Sequence, residues 1–109
     1  MAYNTKLAAR LRRELATTRS VVEKEMFGGI AFMVHGNMCC GVIGDNLMLR
    51  VGKDAHDGEV ARPHAREMDF AKRPMRGFIY VAPKGVSTTA ALRSRLKPAI
   101  AFMGTLPKK

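Results

Sequence analysis

Apolar residues fall into two rhythms along this chain. Leu7, Leu11 and Leu15 recur every four positions with Ala8 and Ala16 beside them, the spacing of one buried helix face. Asn4 stands where an N-cap would, because its side-chain oxygen can take the free N–H groups of a first turn. Lys6, Arg10, Arg12, Arg13 and Glu14 fill the remaining surface, and the spacing predicts a helix to about Thr17. Beyond it the period shortens. Val21 to Phe27 reads as a strand interrupted by Glu23, Lys24 and Glu25, and Ile30 to Val34, Met38 to Ile43 and Leu47 to Val51 read as three more. Gly28-Gly29, His35-Gly36-Asn37 and Gly44-Asp45-Asn46 separate them with residues that tolerate positive φ, as hairpin turns require.

Lys53 to Arg62 reads as a short helix with Asp54 at its cap, and Pro63 stops it. His64 to Met75 reads as an irregular loop, and Phe78 to Ala82 as a fifth strand. Ser87 is the expected cap of a C-terminal helix with the stripe Ala91, Leu92, Leu96, Ala99, Ile100 and Met103, which Pro98 should kink or divide. Grouped strands with helices apart predict an α+β fold. The architecture expected is a single antiparallel sheet, a four-strand meander plus a fifth strand, in one domain over residues 1–109.

With Gly36-Asn37 and Asp45-Asn46 as two-residue loops, opposed residues share a face. One face then carries Ile30, Phe32, Val34, Cys39, Ile43, Met48 and Arg50. The other carries Ala31, Met33, Met38, Cys40, Val42, Leu49 and Val51. Both are largely apolar, so the face without helices should meet another element or a second copy of the chain. This motivates the expectation of a homodimer.

The segment from Met26-Phe27-Gly28-Gly29 through Met33 resembles the "MFGG" signature of the TfoX N-terminal domain family. Gly36-Asn37-Met38, Leu47 through Gly52, Ala61-Arg62-Pro63-His64, Met68-Asp69-Phe70 and Arg73 through Phe78 follow the same pattern in collinear order. The resemblance implies a stand-alone domain of a bacterial competence-regulator type, whose fuller members act with the cyclic-AMP receptor protein at promoters and carry a second, C-terminal domain. It implies a small α+β fold with one antiparallel sheet, and it carries over no catalytic residue.

Charge changes the picture. The net charge is +10, from 19 Lys and Arg against 9 Asp and Glu. The chain is nearly balanced up to Asp69 and has no acidic residue after it. Lys72, Arg73, Arg76, Lys84, Arg93, Arg95 and Lys97 are therefore the candidate surface for an anionic partner (nucleic acid, bound nonspecifically, an acidic protein or a membrane surface), with a solvated basic face that aids solubility as the plain alternative. Arg93 and Lys97 fall on one helix face while Arg95 points roughly away. Phe32, Phe78 and Tyr80 fall in apolar strands, so no stacking platform is expected. No apolar run approaches the ~20 residues of a membrane helix, and the start has no signal-peptide core. The cytoplasm is the expected location, without membrane insertion.

The candidate chemistry is sparse. Gly28-Gly29 lacks the phosphate-loop patterns and reads as a turn or bulge. His35, Cys39, Cys40 and His64 lack the spacing of a zinc site, because adjacent strand cysteines diverge. Neither cysteine has the electropositive, exposed setting of a nucleophile, so both read as core thiols. Glu67 and Asp69 read as ion-pairing residues among Arg66, Lys72, Arg73 and Arg76. Met68, Asp69, Phe70, Pro74 and Met75 mark the loop most suited to an interaction role. The reading is a regulatory or protein-interaction module without catalysis or cofactor, whose partners are proteins or a second copy. The alternative is a nucleic-acid-associated protein using the basic final third, and a thiol or metal enzyme is the remote third.

Overall fold

The computed structural model describes residues 3–18, 20–26, 28–70 and 73–107, and the backbone alone of residues 69, 70 and 73–75. The elements in order are α1 (Thr5–Glu14), β1 (Val21–Met26), β2 (Gly29–Val34), β3 (Asn37–Ile43), β4 (Asn46–Arg50), α2 (Lys53–Val60), β5 (Ala65–Phe70), β6 (Arg73–Val81) and α3 (Thr89–Met103). A short 3₁₀ turn, Pro83–Val86, leads into α3. The strands form one antiparallel sheet in the order β1-β2-β3-β4-β6-β5, so the fold is α+β as the pattern predicts.

Local chemistry explains the helix ends. Asn4 Oδ1 accepts from the N–H groups of Lys6 and Leu7, both at 3.0 Å, which satisfies donors that no helical carbonyl reaches. The cap of α3 is Thr88 and not Ser87: its Oγ1 accepts from Ala91 N–H at 3.0 Å. Helix α3 continues through Pro98 as one 15-residue helix.

The sheet has six strands, not five. The expected loop from His64 to Met75 is instead largely a hairpin, with Ala65 opposite Val81, Arg66 opposite Tyr80 and Glu67 opposite Ile79. Its first strand, Ala-Arg-Glu-Met-Asp-Phe, shows no apolar alternation because it lies at the sheet edge, where pairing to β6 supplies order that the local pattern does not.

The register also differs. Val34 pairs with Asn37 and Ile43 with Asn46, so the two-residue loops are His35-Gly36 and Gly44-Asp45. His35 and Gly36 both take positive φ, 50° and 83°, the geometry of a type I′ turn. The β2–β3 ladder shifts at Phe32/Met33, with Phe32 opposite Cys40 and Met33 opposite Met38, which leaves Cys39 as an extra, bulged residue. A one-residue slip exchanges faces. The inner face accordingly holds Ile30, Phe32, Val34, Cys40, Val42, Leu47, Leu49, Ile79 and Val81, all buried. They pack with Leu7, Leu11 and Leu15 of α1 and Leu92, Leu96 and Ala99 of α3 in one core.

The outer face holds Ala31, Met33, Met38, Ile43, Met48, Arg50, Phe78 and Tyr80. Most of its apolar area is covered by neighbouring side chains: Ala31 and Met48 are each 1% exposed. The Met48 methyl lies over Gly41, 3.0 Å from where a Cβ would stand. Among the described residues only Val22, at 58%, and Ile100, at 38%, are exposed large apolar side chains. The exposed apolar area that motivated a homodimer is therefore small.

The Gly28-Gly29 pair has two separate geometric causes. Gly28 takes a φ of 74° in the β1–β2 turn, and a Cβ on Gly29 would lie 2.1 Å from the Val42 carbonyl oxygen. Gly29→Ala should therefore destabilise the fold by ~1–3 kcal/mol, the usual cost of overpacking. Gly58 in α2 has nothing within 4 Å of an added Cβ, and Gly58→Ala should add ~0.5–1 kcal/mol. Urea unfolding of both variants checks the pair, and equal midpoints would contradict this account.

Candidate functional site

The described basic residues of the final third do not form one surface. Arg76 pairs with Asp57 at 3.1 Å and Arg93 with Glu14 at 2.7 Å. Asp57 is held below the usual carboxylate range by its hydrogen bond to Arg76. Arg95 is buried; its Nη2 donates to the Pro63 carbonyl and its Nη1 has no partner among the described residues. Burial, with Arg62 nearby, lowers its pKa. Lys84 lies exposed on the 3₁₀ turn. Lys97 shares a shallow depression on the helix side with Arg93, Glu14 and Ile100. Lys72 and the side chain of Arg73 lie outside the described residues.

Of the expected interaction loop, Met68 is buried beside the irregularity in the β5–β6 ladder. The side chains of Asp69, Phe70, Pro74 and Met75 lie outside the described residues, as does Phe27 of the glycine motif. Met26, Gly28 and Gly29 belong to the β1–β2 hairpin.

The cysteines depart from the expectation that adjacent strand residues diverge. The bulge brings Cys39 into the same buried core as Cys40. The hydrogen bond that the Cys40 thiol donates to Cys39, together with complete burial, pushes Cys40 well above its usual range. Among the described residues no group of three or more His, Cys, Asp and Glu side chains is placed to hold a metal ion. His35 and His64 sit in turns at positive φ, 50° and 67°.

His56, which sequence reasoning missed, is the buried histidine. It is 1% exposed, and its Nδ1 accepts from Gly77 N–H at 3.0 Å. That bond leaves the proton on Nε2, which lies 2.9 Å from Glu67 Oε1. The Gly77 carbonyl in turn accepts from the N–H groups of Val51 and Gly52, at 2.8 and 3.2 Å. Gly77 takes a φ of 93°. The bend of β6 is thus fixed to α2, to β5 and to the end of β4, and Phe78 follows it directly.

That bend presents a row of side chains on the outer face. Reading across opposed residues from β5 to β1, the row is Arg66, Tyr80, Met48, Gly41, Ala31 and Lys24. Beside it, Phe78 opposes Arg50. The Arg66 guanidinium carbon lies 4.6 Å from the Tyr80 ring centroid. That of Arg50 lies 5.6 Å from Phe78 and 5.4 Å from Phe102. These are cation–π distances, so two planar cations rest on rings. Neither has a carboxylate partner among the described residues. Phe78 and Tyr80 are half-buried. A cleft of 620 Å³ adjoins Arg50, lined also by Lys53, Asp54, Arg76, Phe78 and Phe102. No described side chain placed on the outer face by these ladders is acidic. The arrangement suits planar and anionic groups. The Phe78-x-Tyr80 alternation was visible in the sequence, but its Arg50 and Arg66 neighbours needed the true register and β5.

A family model described as the TfoX N-terminal domain matches residues 13–103. No curated protein matches the chain, and no solved structure does.

Both cysteines should be silent toward a chromogenic disulfide reagent in the native protein, and two thiols per chain should react in denaturant. A native thiol reacting within seconds would contradict their place in the core.

Proposed function

The chain belongs to the TfoX N-terminal domain family, and on that premise we propose that it is a small regulatory module that acts by binding, not by catalysis, through its uncovered sheet face. The observation that carries the reading is the outer face itself. It combines half-buried aromatic rings, stacked guanidinium groups with no carboxylate partner among the described residues, and no described acidic side chain. The groups with the most reactive chemistry support the same reading, because each serves the fold: Cys39 and Cys40 fill the core, and His56 joins α2 to β5 and β6. The basic final third contributes less, since Arg76 and Arg93 are paired and Arg95 is buried.

A host strain lacking the protein, complemented with variants, tests the proposal by transcript profiling. The wild-type chain and Cys39→Ala should restore the profile. Arg66→Gln combined with Tyr80→Ala should fail to restore it while accumulating to the same level. Full restoration by that double variant, or loss with Cys39→Ala at normal abundance, would overturn the reading.

A further inference from the structure

Among the described residues the strand ladders place Lys24 and Arg66 at the two ends of one outer-face row and Arg50 beside it, with no acidic side chain on that face; Lys53, Asp54 and Arg76 line the cleft at the Arg50 end. A second copy laid face to face would bring no described carboxylate to meet these cations, only further cations, and like charges at an interface are unfavourable. The face therefore calls for a polyanion, and its shape narrows the choice. Its cross-row runs over six strands from Arg66 to Lys24, about 24 Å at ~4.8 Å per strand spacing. The major groove of a duplex is ~12 Å wide and admits a helix or a two-stranded ribbon, so this sheet cannot enter it. A duplex would meet the cations with phosphates alone and leave the rings unused.

A single strand uses both. Phe78 and Tyr80 are two residues apart on one strand, so they stand on one side of the sheet at ~6.8 Å. That is wider than the ~3.4 Å rise per nucleotide of a stacked strand, which suits bases splayed onto separate platforms. Aromatic rings and guanidinium planes are both surfaces on which unstacked bases settle, and here each ring already carries a guanidinium. Between the cationic ends the floor of the row is apolar, with the Met48 methyl lying over Gly41 and Ala31 beside it. An acidic protein segment would neutralise the cations but bring no planar groups to the rings.

We propose that the uncovered sheet face of this protein is a platform for single-stranded nucleic acid, with Tyr80 and Phe78 stacking bases and Arg66, Arg50 and Lys24 holding phosphates. The proposal rests on the binding-module reading above and names its partner class.

Fluorescence anisotropy tests it with a labelled 12-nucleotide pyrimidine strand, as DNA and as RNA, the duplex of that DNA, and a poly-glutamate peptide. The single strand should bind at least tenfold more tightly than the duplex. Its affinity should fall with salt at a logarithmic slope of about −2, for three phosphates at ~0.7 each. Two double variants of equal net charge separate the face from the overall positive charge. Arg50→Gln with Arg66→Gln should lose at least tenfold, while Lys84→Gln with Lys97→Gln on the helix side should bind as wild type. Tyr80→Ala should lose roughly five- to a hundredfold and Tyr80→Phe should not. Thermal melts confirm that every variant is folded.

Equal losses in the two double variants, or a duplex bound as tightly as the strand, would overturn the proposal. Binding of poly-glutamate but not of the strand, lost in the Arg50 and Arg66 variant, would also overturn it while leaving the binding face intact. The face itself fails only if its variants also complement the deletion strain.

Discussion

The register of β2, β3 and β4 is the constraint on which the rest depends. Two tight turns, His35-Gly36 and Gly44-Asp45, and one bulge at Cys39 set it. Because side chains alternate with a period of two, these few residues decide which half of the sheet is core. A slip of one position in β4 would turn Arg50 into the core beneath the sheet and bring Leu49 out. An unpaired charge buried in a core costs several kcal/mol, so the register that packs the core is also the one that displays the cations. Core and candidate site are two sides of a single choice of phase.

The helices and five of the six strands were legible because their signals are local. Asn4 lies within one turn of the donors it caps, and Leu7, Leu11 and Leu15 reveal a face by spacing alone. The family resemblance was legible from the glycine motif, and the structure gives that motif a cause in a turn and a close backbone approach. The register was not legible. His35-Gly36 and Gly36-Asn37 are both sound turn dipeptides, and only the packed sheet selects between them. The β5 strand was hidden for a related reason, since an edge strand takes its order from its neighbour.

The charge distribution misled in an instructive way. Counting along the chain pointed to the final third, where no acidic residue occurs. Yet Arg93 finds Glu14 in α1, and Arg76 finds Asp57 in α2. Lys24, Arg50 and Arg66 come from the electrically balanced part of the sequence and reach the outer face without an ion pair among the described residues. Linear density of charge says little about exposure of charge, because the partner of a given cation is chosen by the fold. His56 shows the same principle for a neutral group. Its two hydrogen-bond partners come from β5 and β6, and nothing near it in the chain announces them.

The β1 strand, open along one side, bears on how copies of the molecule behave when crowded together. Its middle residues are Glu23, Lys24 and Glu25, and Glu23 is fixed in place by a two-pronged contact with Arg12 of α1 at 2.5 and 2.6 Å. Suppose two molecules joined their β1 edges about a two-fold axis while keeping inner faces on one side. The registers with most overlap are centred on Glu23 or on Lys24, and each sets that residue against its own copy. The unpaired backbone groups of such an edge are a template for fibril growth. Here three consecutive charged residues stand as a guard against such growth at this edge of the sheet.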